Sequence, residues 1–170
     1  MSSATIRILG VDTSLRSSGV AVIEASGQSL KAVEHARIRS AQTVNVSDAL
    51  LRLQTGILDV IARLSPDISA VEGIFHCRNV KTAVRLGEAR GVVIAACRQN
   101  DLPVFEYAPR RVKQAVVGSG AASKDQVRRM VMSILGLQEE PPDDESDALA
   151  IAICHWNCRS TYAALAPESI

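Results

Sequence analysis

Residues 5–24 read TIRILGVDTSLRSSGVAVIE. Two apolar runs, Thr5–Val11 and Gly19–Glu24, flank a short polar turn at Ser14–Ser18, and each run reads as a buried strand. Leu30–Arg39 reads as a third strand, so the chain opens as an antiparallel meander. The pattern then changes to helical spacing. Ser47 is placed to cap a helix in which Leu50, Leu51, Leu53, Ile57, Leu58 and Ile61 recur on one face, ending before Pro66. Ile68–Ile74 (ISAVEGI) is a fourth strand, Asn79–Asn100 a long helix and Pro103–Tyr107 a fifth strand. Three helices follow. Pro109–Val117 has proline in its first turn, Ser123–Leu135 has Ser123 and Gln126 in capping-box spacing, and the last runs from Asp144 to Tyr162. A meander followed by βαβ crossovers predicts an α/β fold: one five-stranded mixed sheet flanked by helices on both faces. The first and fourth strands can then lie parallel and adjacent. Their C-terminal ends open at the edge where ligand crevices of such sheets form.

The composition agrees with one domain spanning residues 1–170, its last few residues forming a disordered tail. At 170 residues, 47% apolar and 22% charged, the chain has enough apolar material for a single core and excludes disordered or fibrous classes. A net charge of +1 excludes a uniformly basic coat, but the charge is sorted along the chain. Arg110–Arg129 carries six basic residues and one acid, whereas Glu139–Asp147 carries six acids and no base. No signal-peptide pattern and no apolar run of membrane-spanning length is visible, so a cytoplasmic protein with no membrane partner is expected. Cys77, Cys97, Cys154 and Cys158 form no CxxC pair; they read as core residues rather than disulfides or zinc ligands.

Four carboxylates stand out. Asp12 and Glu72 end the first and fourth strands, where apolar neighbours make an unpaired charge cost several kcal/mol. Adjacent strands lie about 4.8 Å apart, so the two acids repel unless a cation joins them. Asp144 and Asp147 are three apart and share a helix face ahead of the apolar run ALAIAIC. Taken alone, that pair also reads as an N-cap and its capping partner, and this alternative stays open. Four acids without a candidate catalytic His, Cys or Lys point to paired hard cations and in-line phosphodiester hydrolysis. Mg²⁺ suits an oxygen-only site, with two ions per site and Mn²⁺ as a substitute.

Basic residues supply a track for phosphates. Arg78, Lys81, Arg85 and Arg90 lie in or before the long helix; Arg110, Arg111, Lys113, Lys124, Arg128 and Arg129 follow the fifth strand. Of these, Arg78, Lys81, Arg110, Lys113 and Lys124 are assigned to DNA. Lys113 and Lys124 flank the VVGSG loop as the preferred phosphate contacts, while Arg90, Arg128 and Arg129 read as solvated helix charges. Phe75 follows Glu72 by three residues, placed to stack on or wedge between bases, or else to fill the core. Ala83, Gly87, Gly91 and Ala95 form a smooth ridge on the long helix. It meets either the chain's own sheet or the same helix of a second subunit.

Four segments, ILGVDTSLRSSGVAVIE, VEGIFHCRNVKTAVRLGEARG, FEYAPRRVKQAVVGSGAASKDQV and DESDALAIAICH, resemble the RuvC family of bacterial Holliday junction resolvases, in order over nearly the whole chain. The resemblance implies a ribonuclease H-like fold and a homodimer that nicks a four-way DNA junction symmetrically, with a branch-migration helicase complex as a further partner. By position, Asp12, Glu72, Asp144 and Asp147 match the family's metal-binding acids, Phe75 its junction-contacting aromatic, and Lys113 and Lys124 its basic residues near the scissile phosphate. The Asn79–Asn100 helix matches its dimer helix. Thr13-Ser14 stands where the family usually has Pro-Gly, and the Asp143-Asp144-Glu145 cluster offers a choice between Asp143 and Asp144 for the third acid, in which spacing to Asp147 favours Asp144. Two other classes fit parts of the pattern: a junction-binding protein that has lost catalysis, and an ATP-binding fold of the actin and sugar-kinase type.

Overall fold

The computed structural model describes residues 5–74, 79–159 and 169–170. The elements run β1 (Ile6–Asp12), β2 (Ser17–Ser26), β3 (Ser29–Arg39), α1 (Val46–Leu64), β4 (Ile68–Glu72), α2 (Val80–Gln99), β5 (Val104–Tyr107), α3 (Pro109–Val117), α4 (Lys124–Leu135) and α5 (Asp143–Cys158). The sheet order is β3-β2-β1-β4-β5. β1, β2 and β3 pair antiparallel, and β4 lies parallel to both β1 and β5. The expected mixed sheet is therefore present, with β1 at its centre.

Period-two alternation sorts the strand residues into two cores. Leu9, Val11, Val20, Val22 and Val71 pack against α1 and α2 through Leu53, Ile57, Val60, Ala89, Val93 and Ala96. Ile8, Ala21, Ile23 and Ala70 pack the other way, against α5 and, beyond it, α3 and α4. Helix α5 is buried all round from Ala148 to Cys154, as a helix enclosed between a sheet and two further helices must be. Its approach is set by glycine. A Cβ at Gly10 would lie 2.1 Å from the Ala148 carbonyl oxygen, and one at Gly19 would lie 1.8 Å from that of Asp144. No side chain fits at either point, so the backbone of α5 rests directly on β1 and β2.

Two helix starts differ from expectation. Helix α1 is capped by Asn45, whose side chain accepts from the Asp48 amide at 2.8 Å, and Ser47 instead donates to Asn45 from within the first turn. A serine and an asparagine two residues apart are equally good caps in sequence; the chain direction out of β3 selects the earlier one. Helix α5 begins after Pro142 with no side-chain cap, so Asp144 is not an N-cap but a residue of the first turn. The Ser123–Gln126 capping box of α4 is present. The expected tail falls mainly outside the described residues; Ser169 bridges to Phe105 and the Ile170 amide donates to the Val104 carbonyl at 2.9 Å. Among the described residues Cys97, Cys154 and Cys158 are free and buried, while Cys77 lies outside them. No described helix is long and apolar enough to cross a membrane.

Candidate active site

The parallel β1–β4 ladder runs to the Val11–Val71 pair. Asp12 and Glu72 are the next residue on each strand. Because Val11 and Val71 both face α1 and α2, alternation turns Asp12 and Glu72 together toward α5. The antiparallel partner of Asp12 is Gly19, the position that admits the Asp144 backbone. One missing side chain thus brings the first turn of α5 beside the end of β1.

The acids of α5 diverge from there. The exposed Asp143 carboxylate pairs with the Arg128 guanidinium at 2.7 Å. Asp144 accepts a hydrogen bond from the Ser17 hydroxyl at the start of β2. Asp147, one turn further on, accepts from the Lys124 ammonium at 2.8 Å. Glu145 points to the opposite side, against His35 Nδ1 at 2.5 Å and Arg37 Nε at 3.3 Å. Asp144, not Asp143, is therefore the member of the cluster that faces Asp12.

The electrostatics record this convergence. Burial pushes the Asp12 carboxyl up to about 7, aided by the charges of Asp147, Glu72 and Asp144 and opposed by Lys124. Glu72 is raised too, first by burial and then by Asp147, while Lys124 and Lys113 pull it down. Lys124 is raised chiefly by its hydrogen bond to Asp147. Negative charge is thus in surplus at this end of the sheet, with one ammonium in direct contact. Among the described residues no three His, Cys, Asp or Glu side chains stand closed around an ion position. The donor set nevertheless fits hard divalent cations: four carboxylates, no sulfur or imidazole, and a mutual repulsion that a cation removes.

Glu72 and Asp147 line a cleft of 260 Å³ together with Lys113, Lys124, Pro109, Val112 and Val127. Lys113 and Lys124 are separated in sequence by the Gly118–Ala122 loop, yet both line this cleft; Lys124 contacts Asp147 and Lys113 acts on Glu72 through its charge. Arg110 is exposed beside that loop, and a Cβ on Gly120 would stand 2.5 Å from its Cγ. Lys81 is exposed in the first turn of α2. Phe75 and Arg78 lie outside the described residues.

Two expectations about solvated charges need correction. Arg90 pairs with Glu106 of β5, because α2 lies over that strand. Arg128 pairs with Asp143 and Glu140, because the acidic segment before α5 folds back on α4. Arg129 is exposed. On α2, Ala89, Val93, Ala96 and Cys97 face the core, so the Ala83, Gly87, Gly91 and Ala95 ridge does not meet the chain's own sheet. A Cβ on Gly87 or Gly91 would have nothing within 4 Å.

Several residues that shape the site have no sequence signature. Ser17 meets Asp144 across 127 positions, and Glu145 meets His35 across 110. No spacing rule links residues so far apart; the strand register and the helix approach join them.

The family described as crossover junction endodeoxyribonuclease RuvC matches residues 8–155. A curated relative from Proteus mirabilis with that name is 47% identical over 152 residues, covering 88% of this chain and 87% of its own length. One from Caldicellulosiruptor saccharolyticus is 43% identical over 152 residues, covering 88% and 92%. The structure of T. thermophilus RuvC in complex with a Holliday junction substrate superposes with a TM-score of 0.88 at 30% identity, covering 97% of this chain and 99% of that one.

Proposed function

The chain belongs to the crossover junction endodeoxyribonuclease RuvC family, with its ribonuclease H-like fold, and we propose that it resolves four-way DNA junctions by paired nicks during recombination and repair. The observation that carries this reading is the gathering of Asp12, Glu72, Asp144 and Asp147 at one end of the sheet, beside a cleft edged by Lys113 and Lys124. Acids alone describe many sites. Acids and ammonium groups that line one cleft together describe one that receives a phosphodiester.

The four acids are the residues that hold divalent cations, Mg²⁺ by preference with Mn²⁺ able to replace it, two to a site. When bound, such a pair supplies an activated water and charge stabilisation at the leaving 3′ oxygen. The chain's own residues do the rest. Asp12 stays partly protonated near neutrality until positive charge arrives. Lys124 neutralises Asp147 in the free protein and is placed to exchange that contact for a phosphate oxygen. Lys113 holds the other side of the same phosphate. Lys81 and Arg110 extend the basic track along the backbone of the arms, and Phe75 and Arg78, which lie between β4 and α2 in the sequence, contact the junction.

The exposed face of α2 supports a homodimer. Val80 and Val84 are 79% and 52% exposed and continue the ridge through Gly87, Gly91 and Ala95, a smooth apolar surface suited to a two-fold helix pair. Two copies so joined present two sites to the two strands a junction must lose. A branch-migration helicase is the partner such an enzyme serves, and the bacterial cytoplasm, where the DNA is, is its compartment. The residues form one domain around the single sheet.

A synthetic four-way junction tests the reading. The wild-type chain cuts opposite strands with Mg²⁺ and leaves duplex and single strands intact, while Asp12→Asn binds the junction without cutting. Binding without cutting by the wild-type chain would instead favour a silent junction binder.

A further inference from the structure

We propose that Ser17 is a positioning residue for Asp144, and that a lattice of serine hydroxyls in the β1–β2 turn holds it there; the inference rests on the metal-dependent nuclease reading above. The turn carries Thr13-Ser14, and side-chain bonds close it. Ser14 Oγ accepts from the Ser17 amide at 3.1 Å and the Arg16 amide at 3.3 Å. The buried Ser18 hydroxyl accepts from the Ser14 amide at 2.9 Å and donates to the Ser14 carbonyl at 2.5 Å. Arg16 ties the outer side of the turn down through its guanidinium, which donates to the carbonyls of Ala41 and Val44 at 2.9 and 2.8 Å.

Held from both sides, Ser17 points its hydroxyl at Asp144 Oδ2. The adjacent residue of the helix is held from the opposite side by His35 and Arg37 on Glu145. The first turn of α5 is thereby pinned at two consecutive residues, and the Asp144 carboxylate has its orientation set before any cation arrives.

The contrast with Asp147 gives the contact its meaning. Lys124 is a charged partner that competes with a cation for Asp147. Ser17 is a neutral donor that occupies one oxygen of Asp144 and leaves the other for a cation. Donors of this kind orient a ligand without opposing the metal, and losing one weakens metal binding by about 10- to 100-fold.

The test compares the wild-type chain with Ser17→Ala and Ser17→Thr, full length. Melting temperature is titrated against Mg²⁺ without DNA, and single-turnover cleavage of a four-way junction is measured over the same Mg²⁺ range. Expected for Ser17→Ala are a melting temperature close to wild type without Mg²⁺, an unchanged junction Kd without Mg²⁺, and a midpoint for both Mg²⁺ effects raised by about 10-fold or more. Ser17→Thr, which keeps the hydroxyl, restores the midpoint. If the wild type gains stability and cuts with Mg²⁺ while Ser17→Ala follows the same curve, the positioning role is wrong and the site reading stands. If the wild type neither gains stability nor cuts, the site reading fails and takes the inference with it.

Discussion

Replacing Asp12 by Asn should remove cleavage and, unusually for a buried residue, stabilise the metal-free protein. Asp12 ionises at 3.8 when free of the fold and at about 7 within it, because burial and three neighbouring acids disfavour its charge. Between those values the folded chain holds a proton that the unfolded chain has lost, so stability falls as pH rises through this window. Above it the full penalty applies, about 4 kcal/mol at 1.36 kcal/mol per pH unit. An asparagine avoids the charge but leaves a buried amide whose unmet hydrogen bonds cost about 1–3 kcal/mol. The net gain at pH 8 is therefore about 1–3 kcal/mol, which for a chain of this size raises the melting temperature by about 2–12 °C. Melting curves of both proteins in chelator from pH 3 to pH 8.5 measure it. The gap should close or invert below pH 4, where Asp12 is protonated in both states. At pH 8, added Mg²⁺ should narrow the gap by stabilising the wild type alone. An Asp12→Asn variant no more stable than wild type at pH 8, with a difference that ignores pH, would show that the carboxylates do not burden the fold and that their convergence is misread.

Three further outcomes follow from particular contacts. Gly19→Ala places a methyl 1.8 Å from the Asp144 carbonyl oxygen; the first turn of α5 must shift, costing about 1–3 kcal/mol, and Mg²⁺-dependent cleavage should fall far more than junction binding in a gel-shift assay. Lys124→Ala removes a charge that lowers both Asp12 and Glu72. The rising limb of its cleavage pH profile should therefore move to higher pH, and the salt slope of junction binding should fall by about 1. Gly87→Leu with Gly91→Leu adds side chains where nothing lies within 4 Å; sedimentation should show a dimer turned to monomer with the melting transition retained, and an unchanged sedimentation coefficient would place the dimer contact elsewhere.

Much of this protein is written locally. Strand alternation in TIRILGV, the helical spacing after Ser47, and the Ser123–Gln126 cap depend on neighbours a few residues apart, and they appear where the sequence puts them to within a few residues. Asp12 and Glu72 were legible for the same reason, since a charge inside an apolar strand contradicts its surroundings. Spacing to Asp147 favoured Asp144 as the third acid, but the partners of the three neighbouring acids were not legible. Asp143, Asp144 and Glu145 are chemically near-equal in sequence, and only the seating of α5 on Gly10 and Gly19 turns one to Arg128, one to Ser17 and one to His35. Nor was the outward face of the glycine ridge, which depends on which side of α2 buries Val93 and Ala96. Periodicity is a property of short range and survives in one dimension. The aim of a side chain depends on what the fold packs beside it from a hundred residues away, and that exists only once the layers have closed.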